Sequence, residues 1–378
     1  MTGSPASGPV PVGIIGAGNV SDQYLRTLAG YPDIEVRGIA DLHVERARKQ
    51  ASAHGIGFAG SADELLAADD IELVLNLTIP AAHADVARAA IESGRHVWGE
   101  KPLALDRASG AAVLKAAAAN GVAVGSAPDT ILGPGIQAAQ RLIEDGAIGA
   151  PATVLTLMQG PGPEAWHPRP QFLFSRGAGP LFDIGPYYVT TLVQLLGPVA
   201  EVRAAGHRLT PERTIGTGPD AGTRFPVDVD THVSVLTTFR SGVVGTSIYS
   251  FDSPVRRQRF EITGEAGTLR VPVSGFNDPP ALLAATGPER GWTDIGLPGE
   301  TRDRGVGVLE MARAIRGGHA PRASGQLAYH ALDVMLAIEE SAATGRPVAV
   351  ESDAPAVPPL PQGWTAAART LPAAGTGR

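Results

Sequence analysis

No cysteine occurs anywhere in the 378 residues, which excludes disulfides and thiolate metal sites. Lysine is almost missing as well: Lys49, Lys101 and Lys115 stand beside 28 arginines. Arginine does the routine cationic work, so a retained lysine marks a place suited to a compact, rotatable ammonium rather than a planar fork. Positive charge is in deficit overall, with a formal net charge of -7 and a pI near 5.7. That balance argues against a nucleic-acid partner, and the short basic cluster Arg256-Arg257-Gln258-Arg259 reads as a solvated face. No apolar run approaches the roughly 18 to 20 residues that cross a bilayer, so no membrane partner is expected. Residues 1–9 are small, polar and rich in Pro and Gly; they read as a disordered tail, not a secretory signal, and a cytoplasmic setting is the default. No His/Asp/Glu set has ligand spacing, so no metal is expected.

What is present suffices for a large core: 43% of residues are hydrophobic and 18% charged, in a chain long enough for two domains. Strand-like runs at Val10 to Ile15, Ile34 to Ala40, Ile71 to Thr78, Val97-Trp98 and Val122 to Val124 alternate with helical patterns. Ser61 and Glu64 form a capping-box pattern, Asp106 an N-cap and Gly121 a stop. This alternation predicts a doubly wound parallel sheet, a Rossmann domain over 10–128. Longer, alternating strands follow, including Val199 to His207, Thr231 to Phe239, Val243 to Phe251 and Gln258 to Thr263. They predict a second, α+β domain over 129–352 with a large, mainly antiparallel open sheet. Residues 353–378, rich in Pro and Ala, read as an irregular tail, wrapping or mobile, and the helical patterns at Gly307 to Arg316 and Gly325 to Thr344 are candidates to pack back on the first domain. One face of the open sheet needs a cover, with Val233, Val235, Val243 and Ile248 as candidates for a buried face, and a homodimer or homotetramer through it is expected.

Two motifs carry chemistry. In Gly16-Ala17-Gly18-Asn19-Val20-Ser21, Gly16 allows a tight turn and Gly18 lets backbone approach a pyrophosphate, while the helix opening at Asn19 and Val20 offers amides to the phosphates. Ser21 stands where Gly or Ala is usual. Asp41, at the end of the second strand, can accept bonds from an adenosine ribose or cap the next helix. An acid there disfavours a 2'-phosphate, so NAD(H) is expected, with NADP(H) left open by the nearby Arg46. In Gly177-Ala-Gly-Pro-Leu-Phe-Asp183-Ile-Gly-Pro186-Tyr187-Tyr188, Asp183 and Tyr187 share a helix face. Pro186 cannot donate to Phe182, so a helix here should start near Gly185 or kink. Tyr187 can donate or accept a proton, and a neighbouring ammonium such as that of Lys101 would favour its phenolate form. The plainer alternative makes Asp183 a cap and Tyr187 a core aromatic.

The glycine turn, Glu100-Lys101-Pro102 after the fourth strand, and the Gly-x-Gly-Pro-x-x-Asp-x-Gly-x-Tyr run together resemble the glucose-fructose oxidoreductase, inositol dehydrogenase and rhizopine-catabolism (Gfo/Idh/MocA) family, over residues 10 to about 350. The resemblance implies an NAD(P)-dependent oxidoreductase acting on a secondary alcohol or ketone carbon of a sugar, sugar derivative or cyclitol. It implies that Lys101 lies beside the nicotinamide and bonds the reacting hydroxyl, and that Asp183 binds substrate or relays a proton. It places Tyr187 where the family commonly has His. It makes Thr78, Pro80 and Glu100 cofactor-lining, with His83 either in that loop's helix or simply packing at the helix start. Substrate selectivity is expected in 161–176, where Trp166 and Phe172 suit the apolar face of a sugar ring and His167 is a competing base; the plainer reading is a stiff connection with a buried Trp. His330 reads as a structural histidine. Two rivals remain open: transient oxidation driving glycoside cleavage, and a non-catalytic cofactor-sensing protein.

Overall fold

The computed structural model describes residues 8–273, 275–284, 291–297 and 300–371. The strand β1 (Val10–Ile15) is buried at every residue, as a strand covered on both faces must be. From it the chain alternates through α1 (Asn19–Leu28), β2 (Ile34–Ala40), α2 (Val44–His54), β3 (Phe58–Gly60), α3 (Ala62–Leu66), β4 (Leu73–Asn76), α4 (His83–Glu92), β5 (His96–Gly99), α5 (Arg107–Asn120) and β6 (Val124–Ser126). Every pairing is parallel and the order is β3-β2-β1-β4-β5-β6. The winding reverses between β1 and β4, and the carboxyl ends of such a pair are where open α/β sheets take ligands. The predicted punctuation is in place: Ser61 and Glu64 exchange both capping-box bonds, Asp106 accepts from the Ser109 amide, and Gly121 closes α5 at φ 65°.

Next come α6 (Pro134–Glu144), β7 (Pro151–Pro161), α7 (Gly179–Leu196), β8 (Val199–His207), β9 (Glu212–Thr214), β10 (Arg224–Pro226), β11 (His232–Phe239), β12 (Val244–Ser250), β13 (Asp252–Gly264), β14 (Gly267–Arg270), β15 (Ala281–Ala284), β16 (Thr293–Asp294), α8 (Val306–Gly317), α9 (Gly325–Thr344) and β17 (Val348–Ala349). A nine-stranded sheet runs β16-β15-β14-β13-β7-β12-β11-β8-β17, antiparallel apart from the parallel pair β7 and β12. Helix α7 covers its inner face: Tyr188 meets Tyr249 edge-on at 5.8 Å and stacks on Phe260 at 6.1 Å. Burying aromatics this size contributes roughly 1.5 to 3 kcal/mol each.

Three expectations are corrected. The division into 10–128 and 129–352 is replaced by two interleaved units, one of Met1–Gly133, Gly299–Tyr329 and Leu360–Arg378, the other of Pro134–Pro298 and His330–Pro359. Side chains far apart in sequence decide this. Fully buried Asp33 accepts from Arg313 Nε at 2.9 Å and from the Thr370 and Leu371 amides at 3.1 Å, so the irregular tail is anchored to the first unit as far as Leu371. Positions 1–7 and 372–378 of the expected tails lie outside the described residues, while the Gly8 carbonyl accepts from Arg316 at 3.2 Å. Second, Ile248 does not share a face with Val233 and Val235. It pairs with Ser234, whereas Val233 and Val235 pair with Tyr249 and Ser247, and a period of two sends alternate residues to opposite faces. The outer face instead exposes Leu155, Leu236 and Val244, at 40%, 52% and 49%. Third, of the two outcomes expected around Pro186, a start near Gly185 is ruled out: α7 starts at Gly179, with Pro180 in its first turn and Pro186 inside it. Pro180 needs no amide partner there, whereas Pro186 leaves the Phe182 carbonyl without its usual donor.

Candidate active site

The first unit gathers the expected cofactor residues at the carboxyl ends of β1, β2, β4 and β5. Gly16 has φ 111°, and a Cβ there would lie 2.5 Å from the Leu77 carbonyl oxygen and 2.9 Å from the Thr78 nitrogen, so only glycine fits. Around Gly18 nothing lies within 4 Å of a Cβ position, and α1 begins after it without a side-chain cap. Room above Gly18 and first-turn amides at Asn19 and Val20 are what a pyrophosphate needs, so these residues fit a dinucleotide. Buried Ser21 turns its hydroxyl back onto the Gly18 carbonyl at 2.7 Å, which explains its tolerance at the third position.

Asp41 turns its carboxylate to two backbone amides, and the N-cap of α2 is His43 rather than Asp41. One carboxylate oxygen accepts the Ala17 amide of the glycine turn at 2.8 Å, and the other the His43 amide at 2.8 Å. Each oxygen keeps a lone pair for another donor. Leu42 next to it is 95% exposed, and Ile79 after β4 is 70% exposed; these two aliphatic faces were not singled out from the sequence. Thr78 donates its hydroxyl to Asn76 Oδ1 at 2.7 Å, and Pro80 follows on the surface. His83 is buried, its ring 2.7 Å from the Pro102 carbonyl and 3.0 Å from that of Thr78. It ties together the two segments that follow β4 and β5.

Lys101 follows β5 and is half-buried. Its amide donates to Glu100 Oε2 at 3.2 Å, while Glu100 Oε1 accepts from the Tyr24 hydroxyl at 2.9 Å and from Arg304 at 3.4 Å. Burial, with the Glu100 carboxylate second, holds the Tyr24 phenol well above its usual range. Near the same corner Asp129 is fully buried and accepts the Gly305 and Gly307 amides at 2.7 and 3.2 Å. Burial pushes its carboxyl up to about 6 against the pull of those two amides. Sequence reading missed this cluster, because nothing local to Asp129 or Arg304 announces a partner.

In the second unit, Asp183 and Tyr187 are half-buried one turn apart on α7, while the adjacent Tyr188 is fully buried with its hydroxyl 3.4 Å from the Leu157 carbonyl. The core-aromatic role therefore falls to Tyr188. On the 161–176 segment, Trp166 and Phe172 are 59% and 57% exposed, contrary to the buried-Trp alternative. The His167 ring meets both edge-on at 5.6 and 5.4 Å. Its Nδ1 accepts the Arg169 amide at 3.0 Å, which places the ring proton on Nε2 and occupies the lone pair a base would use. Below these rings, Arg213 pairs with Glu164 at 2.6 Å and with Asp252, and lies 5.6 Å from the Phe174 ring. His330 is structural: fully buried, it accepts the Val199 amide on Nε2 at 3.0 Å and bonds Ser352 through Nδ1 at 2.8 Å.

Comparison with known proteins agrees with this architecture. Residues 10–127 match the model of the oxidoreductase family with an NAD-binding Rossmann fold, and residues 136–270 that of the GFO/IDH/MocA C-terminal domain. Levoglucosan dehydrogenase of Pseudarthrobacter phenanthrenivorans is 28% identical over 287 residues, covering 68% of this chain and 72% of that protein. D-xylose 1-dehydrogenase (NADP(+)) 2 of Haloferax volcanii is 29% identical over 346 residues, covering 90% and 99%. A solved structure of levoglucosan dehydrogenase in complex with NADH is similar with a TM-score of 0.80 at 25% identity, covering 91% of this chain and 100% of that one. With one family match on each sheet, the chain belongs to the Gfo/Idh/MocA family of NAD-binding oxidoreductases.

Proposed function

We propose that this protein oxidises or reduces a secondary alcohol or ketone carbon of a sugar, sugar derivative or cyclitol, with NAD(H) as its preferred cofactor. When bound, the nicotinamide supplies the acceptor or donor of the hydride. Lys101 polarises the substrate oxygen, Tyr187 takes or returns the hydroxyl proton, and Asp183 orients the pair or bonds a neighbouring hydroxyl. The observation that carries this reading is the division of labour on α7, where Tyr188 is spent in the core and Tyr187, on the same face as Asp183, remains half-buried. Nδ1 of His167 already accepts the Arg169 amide, so that nitrogen is engaged within the protein. Trp166 offers a flat apolar face for a ring substrate. The names of the relatives, a levoglucosan and a D-xylose dehydrogenase, support a carbohydrate.

Absorbance at the reduced-nicotinamide band across a panel of sugars and cyclitols tests this reading. Silence across the panel despite tight NADH binding would point to a sensing protein, and aglycone release without net NADH to glycoside cleavage. Asp41 beside the glycine turn favours NAD(H), although the D-xylose relative is named for NADP. Tighter binding of NADPH than of NADH would reverse that preference. We also propose that a second copy covers the outer sheet face bearing Leu155, Leu236 and Val244, forming a homodimer or homotetramer; a monomer in light scattering would refute it.

A further inference from the structure

Glu100 is a meeting point of three distant segments. Tyr24 reaches it from α1, the helix that follows the glycine turn, Arg304 from the residue pair preceding α8, and its other oxygen accepts the Lys101 amide. Only 12% of its side chain is exposed, and three of its acceptor positions are taken by groups of the protein. Asp129 sets the reach of Arg304: it receives the amides of Gly305 and Gly307, the residues flanking the first position of α8, and so fixes the chain directly after Arg304. Gly305 is required in that turn, since its φ of 102° is left-handed.

We infer that Tyr24 and Arg304 are positioning residues which act through the Glu100 carboxylate to hold the Lys101 peptide, and that Asp129 places Arg304 for this task. The inference rests on the reading of Lys101 as the group that bonds the reacting oxygen. It also moves Glu100 from a cofactor-lining residue to a bracket joining the cofactor helix to the catalytic peptide. Bonds from a hydroxyl and a guanidinium to one carboxylate oxygen are charge-assisted, and in a buried corner they restrict the rotation of Glu100. A lysine on a long flexible stem gains most from such a fixed root, because small misplacements of a reacting group are costly in rate.

The test uses the full chain with Arg304→Met, Arg304→Lys, Tyr24→Phe and Lys101→Met, alone and with Arg304→Met combined with Lys101→Met. It measures kcat and KM, NADH affinity by fluorescence titration, and hydrogen–deuterium exchange of the Lys101 amide. Arg304→Met and Tyr24→Phe are each expected to lower kcat about tenfold or more while KM and NADH affinity change by less than about threefold. Arg304→Lys should recover most of the loss, the Lys101 amide should exchange faster in both weakened variants, and Arg304→Met should add nothing once Lys101 is Met. Tyr24→Phe keeps the buried ring, so its effect does not reduce to loss of the fold. Unchanged exchange, wild-type kcat in both single variants, or a full additional loss in the Lys101→Met background would overturn the inference. Normal turnover in Lys101→Met alone would instead defeat the underlying role of Lys101, and the exchange data would still report on the bracket.

Discussion

Around Glu100 and Lys101, the polar groups of the first unit are buried or half-buried and bonded to partners up to 204 residues away in the chain. In the 161–176 segment of the second unit, the Trp166 and Phe172 rings stand in solvent, while Glu164 is pinned by the half-buried Arg213. The first arrangement is cross-linked by hydrogen bonds within the protein, which suits the hydride chemistry proposed for it. The second keeps adaptable apolar surface on a pinned base, which suits discrimination among sugars. The proposed function assigns chemistry to the first region and selectivity to the second, and variants should separate them.

The largest effect belongs to Lys101. Replacing it with Ala should lower kcat by about a thousandfold while NADH affinity stays within a few-fold, measured by steady-state kinetics and fluorescence titration; near-normal turnover would remove the chemistry from this corner. Next comes the tyrosine pair. Tyr187→Phe should cut kcat about a hundredfold with an unchanged melting temperature, whereas Tyr188→Phe should leave kcat intact and cost about 1 kcal/mol or less, since it deletes one long bond. Reversal of that pattern would hand the proton to the wrong residue.

Asp129 gives a smaller, pH-dependent signature. A carboxyl at about 6 in the fold against an ordinary 3.8 binds its proton more tightly folded than unfolded. Stability from this group is thus greatest below about pH 4, declines as pH rises through about 6, and is lower above that by about 3 kcal/mol in order of magnitude. Glu100, Tyr24, Tyr31 and Arg304 face the same carboxyl. Asp129→Asn keeps an acceptor for both glycine amides and should flatten this slope, while Asp129→Ala should be destabilised throughout; melting curves between pH 4 and 8 decide. The smallest effect is expected for Trp166→Ala. It should raise KM a few-fold for ring substrates, leave kcat alone and alter stability by less than about 0.5 kcal/mol, because the side chain is exposed. A collapse of kcat there would mean the two regions are not separable.

Much of this was legible locally. The glycine turn, the Ser61–Glu64 box, the Asp106 cap and nearly every strand of the parallel sheet follow from nearest-neighbour rules, because period, capping and steric freedom are properties of a few consecutive residues. The sequence left a start near Gly185 and a helix running through Pro186 both open, because a proline in a first turn and one inside a helix look alike until packing is known. Ile248 was assigned to the wrong face because its partner is set by strand register, not by its own hydrophobicity.

Residue order alone established the two sheet types, the dinucleotide turn and the identity of the chemical groups on offer, since each depends on spacing along one stretch of chain. Folding in three dimensions settled the rest: which tyrosine is spent in the core, which unit holds the last helices and tail, and that Tyr24, Arg304 and Asp129 converge on the Glu100 corner. Buried polar atoms must find partners wherever the chain brings them, and those partners are chosen by distance in space, which a linear reading does not measure.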